Sequence, residues 1–206
     1  MLDLRAAARG PNVGAMAAKK NAYTVPGMTN AQGQKVAGIL QHRLNALNDL
    51  ALTLKHVHWN VIGPHFIAVH EMIDPQVDAV RAMVDETAER IATLGVAPVG
   101  TPGALVKQRT WDDYSLGRAG AIEHLGALDV VYTGVIEAHR RAMDDTEDPD
   151  PVTQDMLIGQ LGQLELFHWF VRGHLETAGG EIPTTAARTE KSAAKKAATR
   201  ARRGTR

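Results

Sequence analysis

Apolar residues recur in steps of three and four along most of the chain. Val36, Ile39, Leu40, Leu44, Leu47, Leu50, Leu54 and Val57 mark one helix over residues 30–60, with Thr29 or Asn30 as its N-cap. Asn60 to Pro64, with Gly63, break the period. Phe66, Val69, Ile73, Val77, Val80, Val84, Ile91 and Leu94 then mark a second helix, closed by Gly95. Residues 95–114 carry little pattern and leave room for one short helix near Pro102–Lys107. A third helix is predicted from Ser115 to Glu147, through Ile122, Leu125, Leu128, Val131, Val135 and Met143. After the Asp148-Pro149-Asp150-Pro151 turn, a fourth runs from Val152 to Thr177, and Gly179-Gly180 stop it. No stretch alternates as a strand does. Two short turns and one long middle connection predict an all-α four-helix bundle with a crossover between its second and third helices.

Composition narrows the chemistry. The 206 residues include no cysteine, which excludes disulfides, thiolate metal sites and a cysteine nucleophile. No apolar run approaches the roughly 18–20 residues of a membrane span. The net charge of zero hides an asymmetry. Residues 1–20 carry a net +3 and residues 181–206 a net +6, while the stretch between them carries −9. The expected organisation is a basic tail over 1–28, a bundle over 29–180 and a disordered basic tail over 181–206.

The second helix carries His70, Asp74, Asp85 and Glu89 in a stripe roughly 100° wide. Imidazole and carboxylate suit divalent iron or zinc. The 70/74 and 85/89 pairs are about 22 Å apart along the axis, too far for one small site. Two copies packed antiparallel about a twofold axis remove the difficulty. Facing positions then share one sum. His70 meets Glu89, Asp74 meets Asp85, and Asp78 meets the oppositely charged Arg81. The axis passes between Ala79 and Val80. His58, at the end of the first helix, is placed to add a ligand. The bland reading makes Asp74-Pro75 a helix start, His70 a core histidine, and Asp85 and Glu89 a solvated face. The shared register favours the metal centre.

The string KHVHWNVIGPHFIAVHEMID, followed by DETAERIATLG, resembles the Dps family, a branch of the ferritin-like superfamily, and the likeness runs from about Thr24 to Gly180. The resemblance implies a ferritin-like bundle in a hollow shell of twelve subunits built from twofold dimers. It implies ferroxidase activity, with ferrous iron oxidised at intersubunit centres, usually by hydrogen peroxide, and stored as ferric mineral. Carried over by position, Asp85 and Glu89 hold the primary iron with His58 of the partner subunit, and His70 and Asp74 serve the second iron position. Trp59 is placed either as an electron donor or in core packing. DNA protection in the cytoplasm, at the nucleoid, goes with the family. The alternative is an architectural nucleoid protein whose metal site is structural.

Three further features bear on function. Glu165 and His168 form one Glu-x-x-His, the repeat of bundle di-iron sites, but such sites need two; it is expected to be polar helix surface. His42, His56, His65, His124, His139 and His174 lack a partner pattern and are expected to be structural or exposed. Asp144, Asp145, Asp148, Asp150 and Asp155 cluster at the third turn, where the resemblance places an iron-entry pore. In the C-terminal stretch, Arg188, Lys191, Lys195, Lys196, Arg200, Arg202, Arg203 and Arg206 suit sequence-independent contact with DNA phosphates, aided by Lys19 and Lys20.

Overall fold

A computed structural model of the chain describes residues 23–204. Helix α1 spans Asn30–Asn60. Its N-terminus is closed by a capping box, in which the Thr29 hydroxyl accepts from the Gln32 N–H and the Gln32 side chain accepts from the Thr29 N–H. The chain then turns extended over Val61–Ile62 (β1) and reverses at Gly63, whose φ of 96° suits a residue without a Cβ. Helix α2 spans Phe66–Thr93 and continues through Pro75, so Asp74 does not start a helix. Gly95, at φ 81°, ends it as expected.

The crossover holds α3, Pro102–Gln108, with the proline in the first turn. It is pinned back onto α1 by polar contacts. Gln41 bridges the Val99 N–H and C=O, Asn45 donates to Gln108, and the Trp111 indole donates to Asp49 at 2.8 Å. The third long helix, α4, spans Ala121–Thr146 rather than starting at Ser115. Residues 115–120 are used differently: Ala119–Gly120 (β2) pairs in parallel with β1, Val61 opposite Ala119. This short ladder is the one strand feature among the described residues, and the sequence period misses it because two residues cannot show alternation. Helix α5 spans Pro151–Leu175.

The apolar stripes meet inside the bundle. Leu47, Leu50, Leu54, Ile73, Val80, Leu125, Leu128, Leu164 and Val171 form one cluster, each at most 1% exposed. Val36, Leu40, Leu44, Ile91 and Leu157 form a second around Ala142. Burial of each large side chain contributes about 1.5–3 kcal/mol.

The C-terminal stretch is not disordered where it is described. Glu190–Gly204 form helix α6 along α4. Ala193, Ala194 and Ala197 are buried, and Gly126 of α4 makes the notch that admits them. A Cβ on Gly126 would stand 2.9 Å from both the Ala193 carbonyl and the Ala197 methyl. Thr189 caps the helix, and Glu190 accepts from the Ser115 N–H. The expectation of disorder fails because it weighs large apolar residues only; a small-residue face docks by backbone approach. The N-terminal residues 1–22, with Lys19 and Lys20, lie outside the described residues, as do the last two, including Arg206.

Candidate metal centre

The α1–α2 turn brings three of the five expected ligands together. His58, one of the last residues of α1, and His70, in the second turn of α2, stack with ring centroids 3.6 Å apart. Each His Nδ1 lies 3.0 Å from the other residue's main-chain carbonyl oxygen. A nitrogen facing a carbonyl must carry the proton, so each Nδ1–H donates and each Nε2 keeps its lone pair. Asp74, one turn beyond His70, places Oδ1 3.2 Å from His58 Nδ1.

Lys55, one turn before His58, sets its ammonium 2.5 Å from the same Asp74 oxygen. That hydrogen bond is the largest influence holding the Asp74 carboxyl below the usual carboxylate range. Lys55 has no place in the ligand pattern, and sequence reasoning misses it. Its one signal is spacing: positions 55 and 58 share a helix face.

Asp85 and Glu89 are exposed on α2, three to five turns further along, and pair with no group among the described residues. Asp78 and Arg81 are exposed as well, whereas Val80 is wholly buried in the subunit's own core. A facing helix at that height must therefore meet the Asp78, Arg81 and Ala82 side. Among the described residues, no three His, Asp or Glu side chains converge to hold a metal ion within one subunit. Trp59 is 71% exposed, so it does not pack in its own subunit's core.

Two expectations are corrected here. His168 is not polar surface. It is buried, and its Nε2 donates to Asp129 Oδ1 at 2.7 Å. The same carboxylate accepts from Arg172 Nε at 2.8 Å and from the Thr184 hydroxyl at 2.6 Å. Burial alone would raise the Asp129 carboxyl; the hydrogen bonds from His168, Thr184 and Arg172 outweigh it and bring it down to about 2. Glu165, the other half of the motif, pairs with Arg140. Asp150 is likewise no free pore carboxylate. It is 4% exposed and accepts from Arg90 at 2.7 Å and from Thr153. Asp144, Asp145, Asp148 and Asp155 are not buried in this way.

Of the other histidines, His56 bonds the Leu116 carbonyl, His124 the Tyr114 hydroxyl, and buried His139 the Gln160 side chain. His42, His65 and His174 are exposed. These six take the structural or surface roles expected of them. The described basic residues of the C-terminal stretch, from Arg188 to Arg203, are exposed. No helix among the described residues is long and apolar enough to cross a membrane.

The crossover bundle with carboxylates and imidazoles on its inner helices defines the ferritin-like class, and the family model of the ferritin-like domain matches residues 37–179. The DNA protection during starvation protein of Mycolicibacterium smegmatis is 58% identical over 175 residues, covering 85% of this chain and 96% of that protein. The fine tangled pili major subunit of Haemophilus ducreyi is 54% identical, covering 79% and 87%. The solved structure of DpsA14 from Streptomyces coelicolor superposes with a TM-score of 0.79 at 64% identity, covering 81% of this chain and 99% of that one. The chain belongs to the ferritin-like superfamily and, within it, to the Dps family.

Proposed function

We propose that the protein is a ferroxidase and iron store whose reaction centre is shared between two subunits. The observation that carries this reading is the reciprocal bonding of His58 and His70. It parks both Nδ1 protons on backbone carbonyls and leaves both Nε2 lone pairs available, with Asp74 at the edge of the His58 ring. Asp85 and Glu89 stand unpaired on the same helix, in the register an antiparallel second copy requires. Packed so, the partner's Asp85 and Glu89 complete each centre, and Asp78 and Arg81 pair across the axis.

Mixed nitrogen and oxygen ligation suits both ferrous and ferric iron. Two ferrous ions held together each give one electron to a hydrogen peroxide molecule. Its O–O bond breaks, two protons are taken up, and two water molecules form, so no hydroxyl radical is released. Exposed Trp59, beside His58, is placed to supply a further electron. Twelve subunits built from twofold dimers enclose the ferric product. Asp144, Asp145, Asp148 and Asp155 draw ferrous iron inward by their field. The exposed lysines and arginines of α6 and its flanks contact DNA phosphates, and many copies on one shell add avidity. A cytoplasmic, nucleoid-associated protein follows from these activities.

Co-expressing two inactive variants tests the shared centre. One carries His58→Ala, His70→Ala and Asp74→Ala; the other carries Asp85→Ala and Glu89→Ala. In a mixed dimer one centre inherits both intact halves and the other neither. Random mixing therefore restores roughly a quarter of the centres. Peroxide-driven ferric absorbance near that level is expected. A mixed assembly as inactive as its parents would mean that one subunit carries the whole site.

A further inference from the structure

Where α1 packs on α4, one cation lacks a counter-charge. Three arginines in the described chain are partly buried: Arg43, Arg90 and Arg109. Arg90 pairs with Asp150, and Arg109 pairs with Asp49 and Asp113. Arg43 pairs with no carboxylate among the described residues, and its Nη1 is buried without any hydrogen-bond partner. The charge that does bear on it is a second guanidinium, Arg141 of α4. Burial and that neighbour pull Arg43 down to about 10. Buried His139 of α4 does not compensate; burial and the Arg43 charge lower its imidazole to about 4, so it stays neutral.

The packing of α1 on α4 brings the two charges within reach of each other. Leu40 and Leu44 of α1 share an apolar cluster with Ala142 of α4, and Arg43 and Arg141 are the chain neighbours of Leu44 and Ala142. A half-buried cation facing a like charge is costly unless an anion lies between them. Two guanidinium forks from different helices match a tetrahedral oxyanion, which accepts from both at once. A single carboxylate would balance only one of the two charges, whereas phosphate carries between one and two near neutral pH.

We propose that the α1–α4 seam at Arg43 and Arg141 binds a tetrahedral oxyanion, phosphate, once per subunit. The site is separate from the iron centre and needs no metal. It lies at the opposite end of α4 from the Gly126 notch, 15 residues and about 22 Å away. The basic face of α6 is thus a different surface.

The test uses the iron-free assembled protein, dialysed to equilibrium against labelled inorganic phosphate in chloride buffer. Saturable binding of one phosphate per subunit is expected. Arg141→Gln, at an exposed position that leaves the core intact, is expected to weaken it roughly tenfold, the loss of one charge-assisted contact. The double variant Lys195→Gln, Lys196→Gln on α6 is expected to bind as the parent does. Adding duplex DNA separates two sources of the same chemistry: displacement identifies a backbone phosphate as the natural occupant, and retention a free phosphate. Absence of saturable binding overturns the proposal. So does binding that survives Arg141→Gln and is lost with the α6 lysines. If no phosphate binds and Arg141→Glu splits the assembly on size exclusion, a carboxylate of a second copy neutralises these arginines instead.

Discussion

Asp129 holds three donors from two other segments, and replacing it with asparagine tests what fastens the C-terminal helix. His168 and Arg172 reach it from α5, and Thr184 reaches it from the segment leading to α6. The fall of its carboxyl from the ordinary 3.8 to about 2 shows the direction of the preference, toward the ionised form. At about 1.4 kcal/mol per pH unit this corresponds to roughly 2–3 kcal/mol. In Asp129→Asn the side chain keeps one acceptor but turns an N–H₂ toward a donor and leaves Arg172 without its counter-charge, so the loss should be about 2–4 kcal/mol. Scanning calorimetry at fixed protein concentration should show the melting temperature falling by about 10 °C. The group is depressed, so its contribution is complete above pH ~4 and fades as pH falls toward 2. The parent should lose stability across that window more steeply than the variant. At neutral pH, trypsin should cut the variant faster at Arg188 and Lys191. Equal melting, equal acid slopes and equal cleavage in the two proteins would refute the reasoning.

Other expectations follow from single contacts. Gly126→Ala puts a methyl where Ala193 and Ala197 already lie, so α6 should lift and be cleaved faster, while α4 gains up to about 1 kcal/mol of helix propensity; unchanged cleavage would show that α6 needs no notch. Lys55→Met removes the ammonium from Asp74, and anaerobic titration should show the second ferrous ion binding severalfold tighter; weaker binding would make Lys55 a support of the site rather than a competitor. Asp150→Asn strands Arg90 and should cost about 3 kcal/mol by denaturant unfolding, yet leave the rate of iron uptake per folded shell unaltered. Slowed uptake would return Asp150 to the pore.

Long-range bonding, not periodicity, separates what the sequence reveals from what it hides. The four long helices are legible because each repeats its apolar face over many turns. So is the meeting of His58, His70 and Asp74, since side chains on adjoining helix ends need only a short turn to come together. Asp129 is silent in sequence because its partners are 39, 43 and 55 positions away. Arg90 and Asp150 are silent for the same reason, at a separation of 60. Lys55 belongs to a different class: it is close in sequence, but a lysine on a helix beside histidines looks like a solvated charge until its ammonium is seen on the Asp74 carboxylate. The α6 face, made of alanines, carries too little hydropathy to register against its charges.

The β1–β2 ladder bears on the order in which the chain comes together. Val61 pairs with Ala119 across 58 positions, whereas His58 and His70 close a loop of 12. Chain-closure entropy makes the wider loop costlier by about 1.4 kcal/mol before any contact rewards it. The imidazole pair can therefore form while α1 and α2 are still a hairpin, soon after both leave the ribosome. The ladder must wait until the crossover has been traversed and α4 has begun. A nascent chain would hold its His58–His70 turn well before its bundle is complete, and the returning strand then locks a turn whose geometry is already set.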